Sequence, residues 1–199
     1  MRARKAEVSK QITKEAKKII SEGEGETQEV IDMCDFATGL SRQLYGLTMP
    51  SERPDHRLQE IWQPLGVVGC VTAFNFPVAV FGWNFCLAAV CGNSIIWKPS
   101  PHAEGCADLV KEIWDSVAEE HADIVLIKKG GNNAAIELAE EEKVALFSAT
   151  GSCEMGKALS PKVAKRLGRS LLELGGNNAA IICPSADLDL TIKGVTFSA

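Results

Sequence analysis

The sequence predicts an α/β fold, a doubly wound parallel sheet preceded by N-terminal helices. From Val67 onward, short runs rich in β-branched residues alternate with longer helical runs, which is typical of parallel strands joined by helical crossovers. The strand runs are apolar without interruption, and this indicates a sheet covered by helices on both faces. With 199 residues the chain can bury one sizeable core.

Residues 1–46 have the composition of a helical segment. We expect SEGEGE (residues 21–26) to interrupt the helix, because glycine disfavours helix interiors, and a second apolar stripe to begin at Val30. Residues 47–66, which contain Pro and Ser, are predicted to form a connection. The first apolar stripe is predicted at Ile12, Ala16, Ile19 and Ile20.

Six strands are predicted in the second part of the chain. Four helices are expected between the strands. One begins with Pro77 at its first position, and one runs through Lys111 to Val117. The third is a short Ala- and Glu-rich stretch, and the fourth follows Gly151. Pro161 is expected to kink or shorten the last of these helices. The six runs are VVGCVTAF (67–74), SIIWKP (94–99), IVLIKK (124–129), VALFSA (144–149), SLLEL (170–174) and AAIIC (179–183).

Composition and charge argue against several classes of function. A net charge of −5 and a pI near 5.3 do not suit a surface for nucleic acid or for anionic membranes. The uncharged stretch from Ile61 to Trp97 is broken by Pro and Gly, so we interpret it as a buried strand, helix and strand and not as a membrane span. Seven cysteines without a C-x-x-C pair suggest neither a metal site nor a disulfide framework. With no signal peptide at the start, a reducing, cytoplasmic location is expected.

The stretch SATGSCEMGKALS (148–160) nearly matches the phosphate loop G-x-x-x-x-G-K-[ST] of nucleoside triphosphatases. A strand, a glycine turn and a helix start would present free N–H groups to a phosphate. An ATP site would also need a Ser or Thr where Ala158 stands, and a metal-binding Asp at the end of a strand. The motif alone therefore leaves two alternatives, a phosphate-binding turn and an ordinary βα turn.

Four further side chains are candidates for chemistry. Glu173 ends a strand about twenty residues beyond Gly151, and three roles stay open: a ribose-binding acid, a partly buried general base, or a solvent-exposed acid. Asn75, in AFNFP, either donates to an oxyanion or caps a turn. Lys98, at a strand end, either reaches a ligand phosphate or ribose or marks the surface. Cys153, at a helix start, is a possible nucleophile, although an inert buried thiol is the better interpretation.

Taken in order, the motifs AFNFP, WKPS, TGSxxxGK and LLELGG resemble the NAD(P)-dependent aldehyde dehydrogenase superfamily. The segments IDMCDFATGLSRQLYGLTMPSERP and GRSLLELGGNNAAI are most similar in sequence to the antiquitin-like branch of the superfamily, which oxidises aminoadipate semialdehyde. The resemblance extends from about Glu22 to the end. It implies that residues 67–199 form a Rossmann-like dinucleotide-binding domain, incomplete at its C-terminal end, and that residues 47–66 contribute strands to an oligomer.

The resemblance also implies roles for single residues. Asn75 would supply part of the oxyanion hole, Glu173 would be the general base, and Lys98 would hold the adenosine ribose. Gly151 and Ser152 would approach the pyrophosphate. NAD is the expected cofactor, with NADP possible because Pro101 stands where many relatives use Glu. No metal is expected. Further cofactor-binding positions are expected at Thr72, Ala73, Phe74, Ser100, Gly131, Leu174 and Gly175.

In the family, a Cys thiolate attacks the aldehyde, hydride passes to the nicotinamide, and water cleaves the thioester. That Cys follows LELGG after a helix, and TIKGVTFSA (191–199) is predicted to begin this helix. The nucleophile is therefore expected beyond Ala199, the chain alone is expected to be inactive, and the full-length enzyme is expected to be a homo-oligomer acting on a small aldehyde. The alternatives are a non-catalytic nucleotide-binding or assembly module and, less favoured, an ATP-binding loop.

Overall fold

The computed structural model describes residues 1–176 and 179–198. Two helices open the chain, α1 (Lys5–Ala16) and α2 (Ile20–Leu40). The interruption expected at SEGEGE is wrong, since the break lies at residues 17–19, where Lys17 adopts a left-handed backbone (φ 61°). Ile19 and Ile20 are 65% and 45% exposed, so both lie outside the buried stripe.

Helix α2 has a glycine at position 23, where α1 packs closely against it. A Cβ on Gly23 would lie 2.6 Å from the carbonyl oxygen of Ser9, so only glycine allows the observed approach of the two helices. Glu26 of the same stretch is buried. The sequence SEGEGE thus serves packing between helices and does not end one.

Two short strands, β1 (Thr48–Pro50) and β2 (Arg57–Gln59), form an exposed antiparallel ribbon in the connection. Five strands then make the central sheet. They are β3 (Val67–Val71), β4 (Ser94–Lys98), β5 (Val125–Ile127), β6 (Val144–Gly151) and β7 (Arg169–Leu174). Their order is β5-β4-β3-β6-β7, and every neighbouring pair is parallel.

Helices follow the strands. They are α3 (Ala79–Val90), α4 (Glu104–Ala118), α5 (Asn132–Glu140), α6 (Cys153–Lys165) and α7 (Leu188–Ser198). Val68 and Cys70 of β3 pack in one apolar core with α1 to α4, whereas Val71 packs in a second core with α5 and α6. Because side chains alternate along a strand, the sheet is covered on both faces, and the predicted doubly wound α/β fold is confirmed.

Four details of the prediction need correction. The run AAIIC (179–183) does not form a sixth strand, because no strand of the described residues pairs with it, and Ile181 is 89% exposed. Pro77 lies in the turn before α3, which begins at Ala79. Helix α6 does not end at Pro161, since it continues to Lys165 and buries both Leu159 and Val163 around the proline. The helix predicted from TIKGVTFSA (191–199) is present up to Ser198 and begins earlier, at Leu188; Ala199 lies outside the described residues.

Candidate functional site

A cavity of about 770 Å³ opens at the carboxyl ends of β3, β6 and β7. The strand that follows β3 in the chain, β4, pairs with one side of β3, whereas β6 pairs with its other side. The carboxyl ends of β3 and β6 therefore mark the topological switch point, where sheets of this type bind ligands. The residues that line the cavity include eight of the twelve residues predicted to take part in catalysis or cofactor binding. These eight are Ala73, Phe74, Asn75, Gly151, Ser152, Glu173, Leu174 and Gly175.

The turn between β3 and α3 carries Asn75. Its side chain is exposed, and within residues 1–176 and 179–198 its amide has no hydrogen-bond partner. An Asn that capped the turn would accept a backbone N–H, so the capping alternative receives no support. The amide is free to donate to a ligand in the cavity.

A buried carboxylate fixes the end of this turn. Glu26 Oε1 accepts hydrogen bonds from the backbone N–H groups of Val78 (2.7 Å) and Ala79 (3.1 Å) at the start of α3. Lys18 Nζ lies 3.1 Å from Glu26 Oε2 and 3.4 Å from the centre of the Phe76 ring. An anion at a helix N-terminus satisfies free donors and complements the helix dipole. Helix α2 therefore anchors the segment that presents Asn75.

The second wall of the cavity is the turn from β6 into α6. Ser152 is the N-cap of α6, with its hydroxyl accepting from the Met155 N–H at 3.1 Å. The carbonyl oxygen of Gly151 accepts from the Gly175 N–H at 3.1 Å, which joins this turn to the end of β7. A helix N-terminus at a glycine turn suits an anionic group such as a pyrophosphate.

The third wall is β7. Glu173 lines the cavity with an exposed side chain, so the described residues do not give it the partial burial that the general-base alternative included. Cys153 is half-buried, and not fully buried as its inert interpretation required. Its thiol donates to the Gly175 carbonyl at 3.1 Å.

Lys98 ends β4 beside the cavity and is only 5% exposed. Burial lowers the pKa of its ammonium, and Glu104 partly offsets this shift. Among the described residues no acceptor forms a hydrogen bond with Lys98 Nζ, and this atom is not one of the fully buried polar atoms without a partner, so the ammonium group keeps access to solvent at the edge of the cavity, where a ligand hydroxyl or phosphate can reach it.

The remaining predicted residues lie outside the cavity lining. Thr72 is buried, and its hydroxyl accepts from the Trp97 indole N–H at 2.9 Å, so it supports the sheet. Ser100 caps the turn after β4 through a 3.3 Å bond from the His102 N–H. Gly131 is the N-cap of α5.

The sequence did not single out the α3 side of the cavity. Val80, Trp83, Asn84 and Leu87 recur at helical spacing, and all four line it. Trp83 and Leu87 are partly exposed inside an apolar run. The helical spacing of these four residues could have indicated a helix face directed at a cavity. It was not recognised because the whole run is hydrophobic, so no single face of the helix stands out.

Three further observations concern the phosphate-loop alternative, metal-ligating side chains and membrane spans. Lys157, the lysine of the phosphate-loop alternative, is exposed on α6 and does not line the cavity. No group of three or more His, Cys, Asp or Glu side chains suited to a metal occurs in the described part of the chain. Within the same residues no helix is both long and apolar enough to cross a bilayer.

Comparison with known proteins agrees with the fold and the motifs. The chain is 45% identical over 202 residues to aldehyde dehydrogenase family 7 member A1 of Malus domestica, and covers 40% of that relative. It is 47% identical over 191 residues to the alpha-aminoadipic semialdehyde dehydrogenase of Mus musculus, with 94% of this chain and 35% of that one aligned. The chain thus spans well under half the length of these relatives.

Solved structures share the architecture. A lactaldehyde dehydrogenase from Escherichia coli superposes with a TM-score of 0.90 at 30% identity, over 99% of this chain and 41% of its own. The glyceraldehyde-3-phosphate dehydrogenase GapN of Methanocaldococcus jannaschii, solved with NADP, gives 0.83 at 25% identity over 89% and 39%. The sequence profile of the aldehyde dehydrogenase family matches residues 1–199. The chain belongs to the aldehyde dehydrogenase family.

Proposed function

We propose that this chain is the cofactor-binding part of an NAD-dependent dehydrogenase that oxidises aminoadipate semialdehyde to the carboxylic acid. The observation that carries the proposal is the shared cavity of Asn75, Glu173 and the N-terminus of α6. An amide donor, a carboxylate and a pyrophosphate-binding turn are the groups that an acyl-transfer step beside a dinucleotide requires. The semialdehyde is proposed because relatives at 47% identity carry that name.

The cofactor would lie along the carboxyl edge of the sheet. Lys98 would hold a ribose hydroxyl, and Gly151 and Ser152 would bring backbone N–H groups to the pyrophosphate. A bound nicotinamide supplies a hydride acceptor. NADP is the second candidate, since a structural relative is solved with it.

Two side chains of this chain would act on the substrate. The Asn75 amide would donate to the aldehyde oxygen as negative charge develops there, and this is where preorganised donors contribute most. Glu173 would take a proton from the water that releases the acid. Glu26 would act through the turn, because it fixes Val78 and Ala79 just after Asn75.

The chemistry also requires a nucleophile. No cysteine of the described residues lines the cavity. Cys153 directly follows the lining residue Ser152, but its thiol donates a hydrogen bond to the Gly175 carbonyl oxygen. We therefore propose that the chain by itself binds cofactor but does not oxidise aldehyde.

Calorimetric titration of the purified chain with NAD, and then with NADP, tests the proposal. Saturable binding is expected, and it should weaken about tenfold or more in Lys98→Met, because a charged hydrogen bond contributes roughly 1.5–3 kcal/mol. Lys157→Met is the matched control, since Lys157 is exposed and outside the cavity. Equal loss in both variants, or no binding by the parent chain, would contradict a site at Lys98.

Aldehyde-dependent NADH formation is the second measurement, with aminoadipate semialdehyde and a simple aliphatic aldehyde as substrates. No turnover is expected from this chain. Turnover that disappears in Cys153→Ser would instead assign the nucleophile to Cys153.

A non-catalytic assembly module is the alternative function. It is favoured by exposed apolar side chains near the end of the described chain, which a partner or further domain would cover. These side chains are Leu171, Leu174, Ile181, Ile182, Leu188, Leu190, Ile192, Val195 and Phe197. A chain that binds neither nucleotide nor hydrophobic dye and stays monomeric in light scattering would count against both functions.

We further propose that the full-length enzyme is a homo-oligomer with the β1–β2 ribbon at a subunit contact. The ribbon and its flanks expose Tyr45, Leu47, Ile61 and Trp62. Exposed aromatic and aliphatic side chains beside a free strand edge are typical of such contacts. In the full-length enzyme, Trp62→Ser is expected to weaken the subunit contact and so to lower the mass of the oligomer measured by light scattering.

A further inference from the structure

A second cavity, of about 340 Å³, lies among α2, α3 and α4 and is distinct from the site described above. Its walls are apolar except for two thiols and the basic side chains of Arg2 and Lys111. The thiols belong to Cys34 on α2 and Cys86 on α3, and their sulfur atoms are 3.7 Å apart. This is the one contact between two cysteine sulfurs in the described residues.

The two thiols are not equivalent. Cys34 is exposed, whereas Cys86 is only 5% exposed. The contact with the Cys86 thiol is the main cause that lowers the pKa of Cys34 to about 7; the chain's amino terminus and Arg2 also lower it, whereas partial burial and Asp35 act in the opposite direction. The same contact raises the pKa of Cys86. A reachable thiolate thus lies beside a protonated thiol, the arrangement found at redox-responsive cysteine pairs.

We propose that Cys34 and Cys86 form a reversible disulfide that joins α2 to α3 when the protein meets a peroxide. Cys34 is the attacking thiol and Cys86 the resolving thiol. The proposal concerns the contact between the two helices and does not depend on the dehydrogenase activity proposed above.

The chemistry balances in two steps. The Cys34 thiolate attacks hydrogen peroxide, the O–O bond breaks, and a sulfenic acid and hydroxide form. The Cys86 sulfur then attacks the sulfenic sulfur, and the S–O bond breaks as water leaves with the Cys86 proton. The two sulfurs lose two electrons to the peroxide, and a dithiol reductant reverses the change.

Other cysteines do not offer this chemistry. Burial raises the pKa of Cys70 to about 12, and burial also raises that of Cys106, so neither supplies a ready thiolate. Cys91 and Cys183 are exposed but contact no second sulfur among the described residues. Oxidation of these two would therefore not yield a specific internal disulfide.

Peptide mapping after brief treatment of the full chain with hydrogen peroxide tests the proposal. Free thiols are alkylated at the end of the treatment, and peptides are compared with and without reduction. One linked pair of peptides, containing Cys34 and Cys86, is expected in the parent chain and in Cys183→Ser. It should be absent from Cys34→Ser and Cys86→Ala and should vanish on reduction.

Alkylation rates give a second measurement that does not need the disulfide to form. The contact with Cys86 is the largest cause that lowers the pKa of Cys34, so its loss lowers the share of Cys34 present as thiolate near pH 7. Cys34 should therefore be alkylated severalfold more slowly in Cys86→Ala than in the parent chain, with Cys183 unchanged as the internal control.

The possible results separate clearly. Linked peptides together with the slower alkylation support the proposal. Peroxide treatment that leaves both thiols free, converts Cys34 to higher acids, or links Cys34 to Cys91 or Cys183 would overturn it. An unchanged Cys34 alkylation rate in Cys86→Ala would overturn the role of Cys86 in activating Cys34.

Discussion

Glu26 is the buried carboxylate that ties α2 to the start of α3, and its removal tests how the site is held. In Glu26→Ala, the N–H groups of Val78 and Ala79 lose their acceptor in a region where both residues are fully buried. An unsatisfied buried donor costs about 1–3 kcal/mol, and breaking a buried ion pair costs about 3–5 kcal/mol in total. We expect the free energy of unfolding to fall by about 4 kcal/mol.

Glu26→Gln separates hydrogen bonding from charge. The amide oxygen can still accept from both N–H groups, but the ion pair with Lys18 and the favourable charge at the helix N-terminus are lost. A decrease of about 2 kcal/mol is expected. Glu24→Ala is the matched control, because Glu24 is exposed on the same helix and should change stability by less than about 0.5 kcal/mol.

Urea unfolding followed by tryptophan fluorescence provides the assay. With a denaturant slope of about 2 kcal/mol per molar, Glu26→Ala should lower the midpoint by about 2 M and Glu26→Gln by about 1 M. If Glu26→Ala were no more destabilised than Glu24→Ala, the anchoring role of Glu26 would be refuted. Equal losses for Ala and Gln would show that the charge matters and the two N–H bonds do not.

The remaining predictions concern a buried cation and a close helix contact. Burial lowers the pKa of Lys98 from its ordinary 10.5, so the folded state holds a proton less readily than the unfolded state, and stability should rise as pH increases through the folded pKa. Lys98→Met should therefore unfold at higher urea than the parent near pH 7, with a smaller gain at alkaline pH; lower stability at both would contradict this. Gly23→Ala should cost about 1–3 kcal/mol, because its Cβ would lie 2.6 Å from the Ser9 carbonyl oxygen, whereas Gly25→Ala, with nothing within 4 Å, should gain up to about 1 kcal/mol in thermal unfolding. Similar effects of the two alanines would show that the helices do not approach so closely.

Much of the fold could be predicted because strand and helix periods are local. The apolar runs at β3, β4 and β6 are surrounded by helical segments, and each run became a strand of the sheet. The run AAIIC failed because an apolar sequence makes a strand only when a neighbour supplies hydrogen bonds, and β7 has no partner on its outer side among the described residues.

The site could be predicted in outline for a related reason. Parallel strands bring their carboxyl ends to one edge, so Asn75 and Glu173, each at or just after a strand end, reached the same cavity. Burial was harder to predict. Glu173 is exposed and Lys98 is buried, because exposure depends on which segments pack above each side chain and not on its place in a strand.

The sequence by itself determined the succession of strands and helices along the chain up to β7, the doubly wound class and the motifs that meet at the sheet edge. These features depend on residues that lie close together in the chain. Only the tertiary structure decided that Glu26 accepts the N–H of Val78, 52 residues away, and that Cys34 contacts Cys86 across the same separation. Neither pair has a local pattern to signal it. Both contacts exist because α2 packs against α3, and such packing depends on how all the apolar faces of the chain are buried together.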